Sequence, residues 1–177
     1  MSSIYIKRAQ ITDLNEIMNI ISQAQAMLKA DGSPQWQNGY PDTATLKNDI
    51  MAQQCWVLMV DNKVAGTATL IVADDPNYRE ITDGQWENNT DPYATIHRIA
   101  ISGDFAGQHL GKIFVSNLIS QSYQNGIRNF RIDTHKLNKR MQHLATSAGY
   151  VHRGKIYVSE PAVNHEDNAR LAFELNL

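Results

Sequence analysis

The strongest structural signal in this chain is the stretch from Tyr93 to Ile119, which reads YATIHRIAISGDFAGQHLGKIFVSNLI. Its residues 94–101 form an apolar, β-branched run without glycine or proline, which predicts a strand largely buried on both faces. The Ser-Gly-Asp sequence at 102–104 interrupts that run. From His109 onward, apolar residues recur at three- and four-residue spacing, which indicates one face of a helix. The stretch therefore predicts a strand, a short loop and a helix.

The loop and first helical turn, residues 106–112, have the sequence AGQHLGK and are suited to binding a phosphate. The first turn of a helix presents unpaired backbone N–H groups and a partial positive charge, and phosphates commonly bind there. Gly107 and Gly111 would let a phosphate approach the main chain closely. Many strand-to-helix loops carry glycine only to turn the chain, so the two glycines also fit a loop without a ligand.

The segments IHRIAI at 96–101 and AGQHLG at 106–111 together resemble the acetyl-CoA-binding core of the GCN5-related N-acetyltransferase (GNAT) family. The family motif, Arg/Gln-x-x-Gly-x-Gly/Ala, falls on residues 106–111 of this chain. Gly111 matches the last position, whereas Ala106 and His109 replace the basic residue and the first glycine. The resemblance implies acetyl-CoA as cosubstrate, held mostly by backbone amides. If His109 must adopt a positive φ, histidine accepts it at some cost.

The resemblance also assigns the contacts with the cofactor. In the family, the pantetheine arm inserts where the fourth and fifth strands splay apart, and by order those strands are residues 94–101 and 127–134. An asparagine of the last core helix contacts the arm, and Asn138 matches it, although Asn138 is equally a good helix cap. The residues expected to bind acetyl-CoA are Ile99, Ala100, Ile101, Gly107, Gln108, His109, Leu110, Gly111, Lys112 and Asn138.

Length and composition indicate one domain over residues 1–177, since 42% of the residues are hydrophobic and can form a full core. Sixteen basic and eighteen acidic residues give a net charge of −2, so neither nucleic acid nor a membrane surface is an expected partner. Cys55 is the only cysteine and can form no disulfide within the chain, which favours a reducing, cytoplasmic location. We expect no secretory signal, membrane span or bound metal.

The remaining pattern predicts an α/β (α+β) fold of the GNAT type, with a mixed, mostly antiparallel sheet of six to seven strands and about four helices. Asp13 and Glu16 would form a capping box at the first helix, and Gly66 would mark a bulge. A polar turn segment at 160–168 would separate the last two strands. The strands are predicted at residues 4–7, 56–60, 64–72, 94–101, 127–134, 150–158 and 170–175, and the helices begin near residues 12, 42, 109 and 138.

The chemistry that the resemblance implies is direct attack of an amine on the thioester carbonyl of acetyl-CoA. The amine must first lose a proton, and His97 is the candidate base, because the spacing of two residues predicts that it shares a face with Ile99. Some family members carry a histidine at this position; a hydrogen-bonded structural histidine is the alternative. Thr95 could hold a relay water, and Arg98 would pair with a carboxylate. By family analogy, the backbone N–H of Ile99 would bind the oxyanion.

The general acid is harder to assign. The family often carries a tyrosine seven residues after the asparagine that matches Asn138, and that position is Ala145 in this chain. Tyr150, Tyr157 or His135 could substitute for the missing tyrosine. Alternatively, solvent could protonate the departing thiolate, whose pKa is low enough for it to leave unaided at neutral pH.

Two loops are expected to select the acceptor amine. Residues 31–41 are turn-rich and contain aromatic side chains that a turn does not need. Residues 73–93 form a polar insertion with six acidic residues and one basic residue. This insertion is either a solvated loop or a lid whose carboxylates attract a cationic amine. The expected substrate contacts are Trp36, Tyr40, Trp86 and His135.

The sequence thus predicts an N-acetyltransferase that transfers the acetyl group of acetyl-CoA to a primary amine of a small molecule or an exposed peptide. Transfer of another acyl group is the rival enzymatic reading. The alternative from a different functional class is a CoA-binding or ligand-sensing protein that keeps the fold without turnover. It is suggested by Ala106, His109 and Ala145, which depart from the family pattern. A homodimer is a candidate assembly. The identity of the acceptor does not follow from the sequence.

Overall fold

The computed structural model describes residues 2–159 and 167–177, so most of the turn segment predicted at 160–168 lies outside it. The described chain contains seven strands and four α-helices, which confirms the predicted α+β class. The strands are β1 (Ile4–Arg8), β2 (Cys55–Val60), β3 (Lys63–Val72), β4 (Tyr93–Ile101), β5 (Asn129–Thr134), β6 (Val151–Tyr157) and β7 (Ala169–Asn176). The helices are α1 (Leu14–Ala30), α2 (Thr43–Met51), α3 (Leu110–Gln124) and α4 (Lys139–Ser147).

All seven strands belong to one sheet with the order β1-β2-β3-β4-β5-β7-β6. Neighbouring strands are antiparallel except β4 and β5, which run parallel. The parallel pairing covers only Tyr93–Thr95 against 129–131. Beyond Thr95, β4 leaves β5, while β5 continues its pairing with β7 up to Thr134. A gap therefore opens in the middle of the sheet, between the second halves of β4 and β5.

The sheet is covered on both faces, as β2 shows most simply. All six residues of β2 are buried, because alternate side chains point to opposite faces and both faces are packed. Trp56 and Leu58 belong to the cluster under α3 and α4, whereas Val57 belongs to the cluster under α1 and α2. The described part of the chain includes no helix with the length and hydropathy required to cross a bilayer.

Three local predictions can be compared directly with the structure. The capping box lies three residues earlier than expected, because the carboxylate of Asp13 accepts from the backbone N–H of Gln10 at 2.8 Å and α1 begins only at residue 14. The helix predicted to begin near residue 42 begins at Thr43, and Asp42 caps it by accepting from the N–H of Thr45 at 2.8 Å. The register of β2 with β3 shifts next to Gly66, which confirms a bulge there.

The insertion at 73–92 is packed onto the sheet. Tyr78 and Trp86 form a buried cluster with residues of β6 and β7, and Thr82 bridges to Lys155 of β6. Two of the acidic residues that could have lined a lid are held in ion pairs, Asp74 with Arg79 and Asp83 with Lys155. The insertion is therefore anchored to the sheet by Tyr78 and Trp86, while most of its other residues are exposed to solvent.

The prediction that Trp86 contacts the substrate is wrong. Its side chain is only 6% exposed, and its Nε1 donates to the carbonyl of Tyr78 at 2.9 Å. The guanidinium of Arg131 lies 4.0 Å from the ring centroid. A ring buried between these groups supports the loop and is not available to a ligand.

Candidate active site

A β-bulge in β4 determines which side chains face the gap. Between His97 and Ala100 the register with β3 shifts, so that two residues of β4 lie opposite one residue of β3. Arg98 lies in this bulge with a φ of +50°, in the left-handed region. Ile96 and Ile99 consequently both pack into the cluster under α3. The prediction that His97 and Ile99 share a face is wrong, because the bulge interrupts the alternation of side chains.

A cavity of about 640 Å³ lies where β4 and β5 part, a size typical of small-molecule sites. Six consecutive residues of β4, 96–101, line it. Trp36 and Tyr40 of the α1–α2 loop line it too, whereas their contact with a substrate stays a prediction. The opposite wall includes Asp133 of β5 and Leu144 of α4.

His97 faces a carboxylate that the insertion carries into the cavity. Its Nε2 lies 3.4 Å from Oδ2 of Asp75, and both side chains are about one-fifth exposed. The other oxygen of Asp75, Oδ1, accepts from the backbone N–H of Asn77 at 2.9 Å. Burial acts to raise the pKa of Asp75, but the hydrogen bonds from His97 and Asn77 outweigh it and the pKa is lowered. Asp75 is therefore a charged carboxylate next to His97 on the cavity wall.

Tyr78 and Asp133 form a second polar contact beside His97. The hydroxyl of the fully buried Tyr78 donates to Oδ2 of Asp133 at 2.7 Å, and its ring centroid lies 6.3 Å from that of His97. Burial and the neighbouring negative charge of Asp133 raise the pKa of Tyr78 well above its ordinary value, so the hydroxyl stays protonated. Sequence reasoning missed both residues, because neither belongs to a motif and only the packing of the insertion brings them together.

The loop before α3 has two residues in the left-handed region. Gly107 has a φ of +78° and His109, the N-cap of α3, has a φ of +55°. A Cβ added at Gly107 would meet nothing within 4 Å, so the backbone there borders open space. A Cβ at Gly111 would lie 3.4 Å from Leu144, which means that this glycine also allows α3 and α4 to pack closely. Gln108, His109 and Lys112 are exposed.

Asn138 is a helix cap, as one of its two interpretations expected, whereas its contact with the cofactor arm stays a prediction. As the N-cap of α4 it accepts from the backbone N–H of Met141 at 3.1 Å, and it also lines the cavity. Its side-chain amide donates to Oε1 of Gln35, from the α1–α2 loop, at 3.1 Å. Asn138 therefore ties that loop to the start of α4 at the edge of the gap.

Three further predicted site residues lie outside the cavity, because each is buried in the protein interior. Thr95 is 1% exposed, and its Oγ1 has no hydrogen-bond partner within residues 2–159 and 167–177. Tyr150 is 3% exposed in the cluster under α3, and burial raises its pKa far above the ordinary value, so it cannot deliver a proton to the cavity. His135 is 1% exposed, and its Nε2 lies 2.8 Å from Oδ1 of Asp167. Neither Tyr150 nor His135 can replace the tyrosine missing at Ala145.

Comparison with known proteins identifies the family to which this chain belongs. The sequence model of the Acetyltransferase (GNAT) family matches residues 21–150. A GNAT family acetyltransferase of Streptococcus agalactiae has a solved structure that is 32% identical, with a TM-score of 0.87 over 98% of this chain and 95% of the other. A search of curated proteins found no match.

Two more distant structures share the fold. The PaiA N-acetyltransferase of Thermoplasma acidophilum, solved with coenzyme A, is 14% identical with a TM-score of 0.72, and the alignment covers 99% of both chains. AAC(6')-Ib, solved with ribostamycin and coenzyme A, is 19% identical with a TM-score of 0.67, covering 98% of this chain and 93% of the other. The family match over most of the chain and the 32% identity agree. The chain therefore belongs to the GNAT acetyltransferase family.

Proposed function

We propose that this protein transfers the acetyl group of acetyl-CoA to a primary amine of a small molecule. The observation that carries the proposal is the cavity between β4 and β5, in which His97 faces Asp75 next to the bulge at Arg98. PaiA and AAC(6')-Ib, which share the fold, were solved with coenzyme A, and the AAC(6')-Ib structure also holds the aminoglycoside ribostamycin.

The residues around the gap fit acetyl-CoA. The open space at Gly107 and the unpaired N–H groups in the first turn of α3 suit a pyrophosphate, with the exposed Lys112 nearby in sequence. Residues 99–101 and Asn138 line the cavity and would hold the arm. Acetyl-CoA would supply an activated thioester, and the chain would orient both reactants.

Within this proposal, His97 accepts the proton that the amine loses. Asp75 holds the imidazole by the contact at 3.4 Å and would stabilise its charged form by Coulomb attraction. The bulge removes Ile99 from regular pairing with β3, so its backbone N–H is the donor that we assign to the oxyanion. These roles correspond to general base, base-orienting residue and oxyanion donor.

The charges on the cavity wall support a cationic acceptor. Four carboxylates and three guanidinium groups line the cavity. Asp31 is paired with Arg140 at 2.8 Å, which leaves Asp75, Asp133 and Asp167 against Arg170. Arg98 is already paired with Asp49 by a contact of 2.7 Å. A cavity with these carboxylates attracts an ammonium group electrostatically.

A CoA-binding protein without turnover is the second candidate. The observation that favours it is the burial of Ala145 and Tyr150, which leaves neither residue able to act as the tyrosine acid expected in the family. In that case, acetyl-CoA would bind and no amine would be acetylated.

Calorimetric titration with acetyl-CoA tests the cofactor assignment. We expect a Kd in the micromolar range. Gly111→Asp, which adds a negative charge at the first turn of α3, should weaken binding at least about tenfold through charge repulsion with a phosphate. Gly111→Asn adds the same bulk near Leu144 without the charge and is the matched control, expected to bind more tightly than Gly111→Asp. Absence of binding in the wild type would contradict both candidates.

Turnover of a panel of primary amines separates the two candidates. If His97 is the base, His97→Gln should lower kcat by about 10²- to 10⁴-fold while the Kd for acetyl-CoA stays near the wild-type value. Binding without any turnover across the panel would favour the second candidate.

A further inference from the structure

A buried ion pair lies directly behind the bulge of β4. Asp49 of α2 is 7% exposed, and its carboxylate accepts from Nε of Arg98 at 2.7 Å and from Nη2 of Arg98 at 2.9 Å. This is the two-point geometry in which guanidinium and carboxylate bind most strongly. The hydroxyl of Thr69, on β3, donates to Oδ2 of Asp49 at 2.7 Å and fixes the carboxylate from a second direction.

Arg98 is held from its cavity side as well. Its Nη1 donates to the hydroxyl of Tyr40 at 2.7 Å, and both residues line the cavity. Burial acts to lower the pKa of Arg98, but the interactions with Tyr40 and Asp49 outweigh it, so the pKa is raised and the guanidinium stays charged. A permanent charge with three short contacts leaves this side chain little freedom.

The backbone of Arg98 adopts a conformation that its side chain does not favour. Its φ of +50° lies in the left-handed region, which is unfavourable for residues with a Cβ. The residue that follows is Ile99, whose N–H direction depends on this conformation. If Arg98 returned to an extended conformation, the bulge would be lost and that N–H would re-enter the pairing with β3.

We propose that Asp49 is a positioning residue, which holds Arg98 in the left-handed conformation of the bulge and thereby directs the N–H of Ile99 at the reacting carbonyl. Asp49 does not contribute to the cavity wall among the described residues, so it acts through Arg98 and does not touch the substrate. The catalytic part of this inference rests on the proposed acetyl transfer. The statement that Asp49 holds Arg98 in the left-handed conformation concerns the free protein and does not depend on acetyl transfer.

The first experiment distinguishes positioning from stabilisation alone. Asp49→Asn keeps the size of the side chain and loses the charge and one acceptor of the two-point contact. It should lower kcat about tenfold or more, by misdirecting one oxyanion donor, while the Kd for acetyl-CoA changes less than about twofold. Asp13→Asn breaks the 2.8 Å ion pair with Lys7, remote in sequence from the bulge, and is the control for lost stability. Equal kcat values for Asp49→Asn and Asp13→Asn would overturn the proposal.

The second experiment tests the backbone directly. Asp49→Ala is combined with either Arg98→Gly or Arg98→Ala, so that neither double variant keeps an unpaired buried charge. Glycine adopts positive φ without a steric penalty and alanine does not, so the glycine variant should retain a kcat roughly 5- to 30-fold higher. Equal kcat values in the two double variants would contradict the proposal.

The amide NMR signal of Ile99 gives a readout that needs neither acetyl-CoA nor turnover. In the free protein, this signal should move in Asp49→Ala and in the double variant with Arg98→Ala, and should return toward the wild-type position with Arg98→Gly. If the signal is the same in all variants, Asp49 does not set the bulge. Wild-type protein that fails to acetylate any amine would refute the proposed function, and the NMR result would still decide the role of Asp49.

Discussion

His97 acquires its surroundings from residues that are distant in sequence. Asp75 reaches it from the insertion, and Tyr78 from the same segment packs within 6.3 Å of its ring. A histidine with a carboxylate on one side and a cavity on the other is suited to accept a proton from a ligand. His97 lines the cavity, so a ligand can reach it, and its role as the base stays a prediction.

The contact between Asp75 and His97 leads to a prediction about activity. Asp75→Asn keeps the size of the side chain and removes the charge that faces the imidazole, so kcat should fall about tenfold, a part of what a general base contributes. The exposed Asp74 provides the matched control, because it pairs with Arg79 and its replacement by Asn should leave kcat unchanged. Equal kcat values for the two variants in steady-state assays would contradict the role of Asp75.

The lowered pKa of Asp75 leads to a prediction about how the stability of the protein depends on pH. The pKa of Asp75 is lowered in the folded protein from the ordinary value of 3.8, so the carboxylate stabilises the fold above that pH. The contribution is lost as pH falls through the folded pKa. The difference in Tm between wild type and Asp75→Asn should therefore be largest near neutral pH and shrink below about pH 4. A difference that does not depend on pH, measured by thermal unfolding, would be inconsistent with this linkage.

Among the structural elements, the start of α3 combines a sequence departure with a strained conformation. His109 replaces the first glycine of the family motif, yet it adopts a φ of +55° and caps the helix without a side-chain hydrogen bond. The loop thus keeps a left-handed turn at the motif position despite the substitution. We expect the departure to lower the stability of the turn without changing its path.

Replacing this residue by glycine should stabilise the protein. His109→Gly removes the penalty for the left-handed conformation, about 1 kcal/mol, and glycine is acceptable at an N-cap. For a chain of this size, we expect Tm to rise by roughly 2–4 °C. Gln108→Gly is the control, because Gln108 has no positive φ and should gain nothing. A Tm for His109→Gly at or below that of the wild type would contradict the inference that the backbone at His109 is strained.

At the scale of the whole molecule, Glu174 of β7 connects the insertion to the far half of the sheet. Its side chain is fully buried and accepts from the backbone N–H of Glu87 at 2.7 Å and from Nε of Arg153 at 3.1 Å. The guanidinium of Arg131 lies 3.8 Å away. The insertion that carries Asp75 to the cavity is therefore anchored by the charged groups around Glu174. Glu174 lies on β7, which is on the other side of β5 from β4.

Loss of this buried carboxylate should destabilise the whole protein. Glu174→Ala leaves Arg131 and Arg153 without their shared partner, which typically costs about 3–5 kcal/mol, and Tm should fall by roughly 10 °C or more. Asp83→Asn breaks only the exposed pair with Lys155 and should leave Tm close to the wild-type value. Similar losses for the two variants in thermal unfolding would show that the network contributes little.

Sequence reasoning misplaced side chains where tertiary packing competes with local pattern. Trp86 and Tyr150 were expected near the ligand because aromatic and phenolic groups suit such sites, but both complete the interior. Ile99 was assigned to the face of His97 by alternation, which a bulge overrides. Arginine seldom adopts a positive φ, so the residue type at position 98 gave little indication of a bulge.

The sequence by itself determined the strand, loop and helix of residues 93–124, the order of the other elements and the family, because periodicity and helix caps act over a few residues. The family resemblance implied the gap between β4 and β5, which the structure contains. Only the tertiary structure decided the pairing of His97 with Asp75 and of Arg98 with Asp49. The partners in these pairs are 22 and 49 residues apart in the chain. Contacts over such distances depend on how the sheet assembles and on the bulge, which no local pattern encodes.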